Sequence, residues 1–120
     1  MSIIVNVSEH EDFPVVVEIG IEFGQFQSRM VLYEPHLCSK ADWLKLAQAV
    51  LEKEVEMLSF SDRSRSIICD GKVLRCTALP SSDDMMLEII LPLDAQTYQA
   101  LMEVIEHPLM NACWTKSKDR

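Results

Sequence analysis

Apolar residues recur at every second position over residues 13–23 (FPVVVEIGIEF). Phe13, Val15, Val17, Ile19, Ile21 and Phe23 alternate with positions that include Glu18, Gly20 and Glu22. Period two is the signature of a strand with one face in a core. Gly24-Gln25 follows, a turn with glycine first, as a type II′ hairpin requires. That turn predicts the pairs Phe23–Phe26, Ile19–Met30 and Val17–Leu32 on one face, and Glu22–Gln27 and Gly20–Arg29 on the other. A one-residue slip would expose the whole apolar set, so the pattern specifies register as well as strand. Residues 3–7 (IIVNV) alternate more weakly and predict a preceding strand, with SEHED as a charged turn between the two.

After Pro35 the period lengthens. Ser39 is placed as an N-cap, and a helix is expected from Ala41 to about Glu54. Trp43, Leu44, Ala47, Val50 and Leu51 would face inward, and Lys40, Lys45, Gln48, Glu52 and Lys53 outward. The helix yields near Glu56 to a short strand, MLSFS, and SDRS is a turn. Residues 66–70 and 72–79 flank Asp70-Gly71, a hairpin signal. As a two-residue loop it would pair Cys69 with Lys72 and Cys76 with Arg65, turning Ile67, Cys69, Leu74 and Cys76 inward. Pro80 and SSDD form the next turn, and 85–91 (MMLEIIL) is apolar enough for a central strand. Asp94 caps a second helix to about Glu106, with Leu93 and Tyr98 spaced as a hydrophobic staple and Leu101, Met102 and Ile105 buried. His107-Pro108 stops it. LMNACWT is too apolar for a free end and should pack on the core or on a partner, while residues 116–120 fray. The order βββ-α-ββββ-α with short links describes an α+β fold. One antiparallel sheet of about seven strands carries two helices on one face, in a single domain over residues 1–120.

Composition narrows the function. A chain of 120 residues, 48% hydrophobic, can bury enough surface to fold without a metal or disulfide staple. No apolar run approaches the roughly 18 residues of a membrane span. The N-terminus lacks the basic and apolar regions of an export signal, which implies a cytoplasmic protein. With 19 acids against 11 bases the formal charge is −8, which argues against nucleic acid and anionic lipid as partners. Cys38, Cys69, Cys76 and Cys113 show no C-x2-C spacing and are expected as free thiols in a reducing compartment. In the expected register Cys69 and Cys76 lie roughly 13 Å apart along the ladder, too far for a bridge. Cys113, near the C-terminus, is the candidate reactive thiol.

Candidate chemistry is sparse. Three glycines cannot build a phosphate loop. His10, His36 and His107 fall in loops or at helix ends, and the closeness of Cys38 to His36 in sequence is not dyad geometry. His10 with Glu9, Glu11 and Asp12 reads as a solvated turn rather than a cation site, as does Asp83-Asp84. Glu18 and Glu22 share a strand face, as paired carboxylates for glycoside chemistry would, but on an outward face without a cleft. No catalytic, cofactor-binding or metal-binding residue is expected. Charge distribution remains. Residues 1–36 hold six acids (Glu9, Glu11, Asp12, Glu18, Glu22, Glu34) against Arg29, a local net of −5. Glu52, Glu54 and Glu56 close the first helix, where acids oppose the helix dipole. Glu9, Glu11, Asp12, Glu18, Glu22, Glu52, Glu54 and Glu56 are therefore the candidate partner-binding residues, and a basic protein is the expected partner.

The element pattern of this small acidic chain resembles bacterial immunity proteins, the antitoxins of contact-dependent growth inhibition and other polymorphic toxin systems. Strands, a helix containing Ala41-Asp42-Trp43-Leu44-Lys45-Leu46, a meander with an Asp-Gly turn and a closing helix carry the resemblance. It implies a non-enzymatic cytoplasmic protein that binds one cognate toxin domain and neutralises it, with no direct contact to nucleic acid or membrane. Toxins that attack nucleic acid tend to be basic, so an acidic inhibitor can mimic phosphate. No motif carries family binding residues onto this chain. The alternative is an adaptor or secretion-chaperone-like interaction module, or a small oligomerising protein. Met85, Met86, Met102, Met110 and the apolar tail would support it. A small-molecule binder or enzyme would need a pocket with convergent polar groups.

Overall fold

Two hydrogen-bonded sheets and three helices make up the computed structural model, which describes residues 2–60, 64–78 and 87–118. The first sheet is β1 (Ser2–Ser8), β2 (Val16–Phe23) and β3 (Phe26–Tyr33), in that order. The second is β4 (Val55–Ser59), β5 (Arg65–Asp70), β6 (Val73–Ala78) and β7 (Leu87–Pro92), also in order. Every pairing is antiparallel. The α+β class and the seven strands agree with the sequence pattern, but the strands divide into two sheets. β3 runs beside β7 and β6 without joining either in a ladder among the described residues. The chain leaves β3 through Glu34, in left-handed conformation (φ 55°), and a 3-10 turn at Pro35–Leu37. It then crosses α1 (Lys40–Glu52) and enters the second sheet at its far edge, β4.

Both predicted caps form. The Ser39 side chain accepts from the Asp42 N–H (3.1 Å) at the start of α1. The Asp94 carboxylate accepts from the Thr97 N–H (3.0 Å) at the start of α2 (Ala95–Glu106). Each such cap contributes about 1 kcal/mol. α1 packs on β4 and β5, α2 on β1, and the two helices on each other. The buried stripe of α1 is Trp43, Leu46, Ala47 and Val50, with Ala49 beside it, while Leu44 and Leu51 are exposed. The spacing i, i+3, i+4, i+7 centres the stripe there and leaves Leu44 about 100° round from Trp43. In α2, Thr97, Leu101, Val104 and Ile105 are buried and Met102 only half so.

A third helix, α3 (Pro108–Lys118), is the element the sequence reading lacked. His107 ends α2 in extended conformation, and its Nδ1 accepts from the Leu109 N–H (3.1 Å). Pro108 then takes the first helical position, where its missing N–H costs nothing. The apolar tail thus packs on the core as a helix, burying Met110, Cys113 and Trp114. Those three side chains join Val17, Ile19, Met30, Leu32, Trp43, Ile67, Leu74, Ile89 and Leu91 in one apolar cluster spanning both sheets.

The first hairpin has the predicted register, with Phe23 opposite Phe26, Ile19 opposite Met30 and Val17 opposite Leu32. Gly24 has φ 62° and Gln25 does not, as a glycine-first turn requires. The second hairpin is shifted by two residues from expectation: Cys69 faces Leu74, and Cys76 faces Ile67. Asp70 is not a loop residue. Its Oδ1 accepts from the N–H groups of Lys72 (2.8 Å) and Val73 (2.9 Å), and Gly71 opens the loop at φ 89°. An even shift keeps every side chain on its face, so Ile67, Cys69, Leu74 and Cys76 are still inward and buried. It also makes Cys69 and Cys76 diagonal neighbours, roughly 7 Å apart rather than 13. Both are free thiols. The predicted turn at Pro80–Asp84, with Asp83, Met85 and Met86, and most of the SDRS turn lie outside the described residues.

Candidate protein-binding surfaces

The outer face of the first sheet is polar and already internally bonded. Gln27 Nε2 donates to Glu22 Oε2 (2.9 Å), Arg29 Nη2 to Gln27 Oε1 (3.2 Å) and Arg29 Nη1 to Glu18 Oε2 (2.9 Å). Gly20 makes this chain possible. A Cβ there would meet Arg29 Cγ at 2.9 Å and collide with the Ser28 carbonyl oxygen, so β3 and the arginine stem lie directly on the glycine. Glu18 and Glu22 flank Gly20 four residues apart, roughly 13 Å along the strand, with Arg29 between them. They are not a carboxylate pair for acid–base chemistry.

The β2–β3 turn presents a different surface. Phe23 and Phe26 face each other across it and are 66% and 65% exposed. Both lie on the core-facing side of a hairpin that extends past the core. Large exposed aromatics are characteristic anchors of protein interfaces. Glu22 precedes Phe23 on the strand, with its side chain on the opposite, outer face. Glu9, Glu11 and Asp12 occupy the exposed β1–β2 loop at the opposite end of the same sheet, roughly 20 Å away along β2. Reciprocal backbone bonds between His10 and Phe13 (3.1 and 3.3 Å) close that loop. His10 Nδ1 accepts from the Asp12 N–H (3.2 Å), and the Phe13 ring rests on Tyr33 at 4.9 Å between centroids.

Glu52, Glu54 and Glu56 are elsewhere again, where α1 hands over to β4. Glu52 ends the helix and accepts from Gln48 Nε2 (2.8 Å); Lys53 caps it in left-handed conformation (φ 56°). Glu54 is exposed and Glu56 half-buried. The eight candidate acids thus occupy three separate places, because the two sheets put β1–β3 and β4 on different sides of the molecule.

α3 creates a cleft of about 390 Å³ lined by His36, Leu37, Ser39, Lys40, Asn111, Trp114 and Thr115. Two indoles clamp the loop beside it: Trp43 Nε1 donates to the Pro35 carbonyl (3.1 Å), and Trp114 Nε1 to those of His36 and Cys38 (3.0 Å each). Lys40 Nζ donates to Asn111 Oδ1 (2.6 Å) and lies 5.9 Å from the Trp114 ring centroid. Most polar groups here are therefore committed to one another. His36 Nδ1 is buried without a hydrogen-bond partner, and burial holds its pKa below the ordinary value against the opposing charge of Glu34. Cys38 donates not to His36 but to the Ser59 carbonyl (3.3 Å). Burial and then Asp42 push its thiol pKa up. Burial also raises Cys113, and takes Cys76 to about 12. These thiols are not thiolate nucleophiles at neutral pH. Met110 is buried in the core rather than displayed.

No family model, curated protein or solved structure matches the chain. Function is read from its own surfaces. No helix among the described residues is long and apolar enough to cross a membrane. The cleft around Trp114 escaped sequence reasoning because it needs α3. Its signal was present as Pro108 followed by Leu109, Met110, Cys113 and Trp114 at helical spacing.

Proposed function

We propose that the chain is a non-enzymatic immunity protein that binds and neutralises a basic bacterial toxin domain in the cytoplasm. The observation that carries this reading is the Phe23–Phe26 pair, two exposed aromatics facing each other across a tight turn, with Glu22 on the other face of the same strand. The aromatics would supply a desolvated anchor, while the acidic charge of the chain would guide encounter and mimic phosphate. Glu9, Glu11 and Asp12 would steer from the far end of the sheet rather than share the anchor. The adaptor reading keeps one specific support, the exposed Met57 and Ile90 on the outer face of the second sheet.

Co-expression with the polypeptide encoded immediately upstream tests the proposal through growth rescue and co-purification. Rescue and a one-to-one complex are expected, with the complex weakened by salt. A Phe23→Ser/Phe26→Ser double variant should lose both, and Glu22→Lys should weaken binding mainly at low salt. Absence of toxicity and of a complex, or full rescue by the double variant, would sink this reading.

A further inference from the structure

Among the described residues β4 is the edge strand of the second sheet, and its backbone alternation can be assigned. The Phe60 N–H donates to the Arg65 carbonyl (3.2 Å), so even-numbered residues along this strand turn their backbone groups towards β5. Odd-numbered Val55, Met57 and Ser59 therefore turn theirs away from the sheet. Two contacts agree. The Met57 N–H is met by the carboxylate of its own neighbour, Glu56 Oε1, at 3.3 Å, and the Ser59 carbonyl by the Cys38 thiol at 3.3 Å.

Edge strands are commonly guarded by charged side chains, proline, a bulge or a covering loop, and on β4 Glu56 and the Cys38 thiol take the Met57 N–H and the Ser59 carbonyl. β4, Val-Glu-Met-Leu-Ser, contains neither lysine nor proline, and its ladder to β5 is regular. Its outward side chains are apolar and open, with Val55 75% and Met57 54% exposed. Met57 begins a row across the outer face, Met57–Ile68–Arg75–Ile90. Glu56 lies on the opposite face of the strand, and Glu52 and Glu54 precede it, with Lys53 as the adjacent base. A second copy of this chain would bring the same acids together on a molecule of net charge −8. Charge complementarity selects a basic occupant instead.

We propose that the open edge of β4 is a strand-addition site for an extended segment of a partner protein in which apolar residues alternate with lysine or arginine. Its backbone pairs with Val55 and Met57 and stops short of the Ser59 carbonyl, which Cys38 occupies. Its apolar side chains extend the Met57–Ile68–Ile90 row, and its cations meet Glu56 and Glu54. Main-chain bonds give such sites affinity, and alternate side chains give them specificity. The inference goes beyond the hairpin-tip reading and does not depend on it.

The probe is an acetylated, amidated heptapeptide alternating lysine and valine, titrated into the full chain and followed by amide NMR shifts and hydrogen exchange. Slower exchange at Val55 and Met57 is expected, with weaker binding as salt rises and none by the glutamate–valine counterpart. Met57→Pro removes only the outward N–H and should abolish binding. Glu56→Lys, which leaves the backbone alone, should weaken the lysine peptide at least about tenfold. Protection absent from β4, or binding unchanged in both variants, overturns the inference. So does slow, concentration-dependent exchange of the Met57 amide in the free protein, which would assign the edge to a second copy. A footprint confined to Phe23 and Phe26 overturns it too, while leaving the hairpin-tip reading intact.

Discussion

Arg29 and Arg75 occupy matching places on the outer faces of the two sheets; Arg29 pairs with one acid on its neighbouring strand, and Arg75 bridges two, one on each side. Arg29 reaches Glu18 (2.9 Å), and Arg75 reaches Asp70 (3.2 Å) and Glu88 (3.1 Å). Their surroundings differ. Arg29 lies flat on Gly20 among Glu18, Glu22 and Gln27, whereas Arg75 stands between Ile68 and Ile90 in an apolar row. In the first sheet close backbone approach makes room for a polar network. In the second an arginine stem covers apolar side chains while its head stays in water. An equivalent ion pair thus serves a sealed face in one sheet and an available face in the other.

Adding one methyl group should break the symmetry of that comparison most sharply. At Gly20 the new Cβ meets backbone atoms of Ser28 and Arg29, which cannot move without disturbing the β2–β3 ladder. Gly20→Ala should therefore cost about 3 kcal/mol in urea unfolding, the upper range for overpacking. Ile68→Ala, on the face of the second sheet, removes only half-buried atoms and should cost about 1 kcal/mol or less. Equal losses would refute the close-approach argument.

The two turns provide the next contrast. Both open on a glycine of positive φ, Gly24 at 62° and Gly71 at 89°. A Cβ at Gly24 meets nothing within 4 Å, while one at Gly71 comes within 3.3 Å of the Lys53 carbonyl oxygen. Gly24→Ala should cost about 1 kcal/mol from backbone conformation alone, and Gly71→Ala about 2 kcal/mol. Matched thermal melts of the two variants check the order.

These turns also mark how far the sequence could be read. Alternation from Phe13 to Phe23 is strict enough to specify one register, and Gly24-Gln25 admits one turn. Asp70-Gly71 admits two, because aspartate can sit inside the loop or cap it from the preceding position. Only the Asp70 bonds to Lys72 and Val73 decide between them. Face assignments survived because parity, not register, sets them. The division into two sheets was not legible, since it depends on how the chain leaves β3 through Glu34. The acids were legible as residues but not as a surface. Sequence proximity grouped Glu9–Asp12 with Glu18 and Glu22, whereas the strand length between them keeps the loop and the hairpin tip apart.

The capping role of Asp70 gives the second sheet an acid-sensitive corner. Hydrogen bonds from the Val73 and Lys72 N–H groups, then the Arg75 guanidinium, hold its pKa below the usual carboxylate value despite opposing desolvation. A depressed folded pKa stabilises the protein above the unfolded value, about 4 for aspartate, and that contribution is lost as pH falls through the folded value. Asp70→Asn keeps an acceptor but no charge. Its Tm should lie below wild type at pH 7, and the gap should close on acidification below about pH 4. A gap that stays constant to low pH would mean that the carboxylate charge contributes nothing there.

Double-mutant cycles on Arg29–Glu18 and Arg75–Glu88 ask for the smallest effect and separate stability from surface function. All four side chains are partly exposed, so each coupling should be about 0.5 kcal/mol and should shrink with salt. The two arginines should nevertheless behave differently in solution. Replacing Arg29 leaves a polar face, with Glu18, Glu22 and Gln27 still on it. Arg75→Met joins Met57 and Ile68 to Ile90 in one continuous apolar row beside the open edge of β4. Its folding stability should stay within about 0.5 kcal/mol of wild type. Sedimentation should show self-association for Arg75→Met and none for Arg29→Met. A difference in association is expected from what each arginine covers, and equal behaviour would remove the distinction between a sealed and an available face.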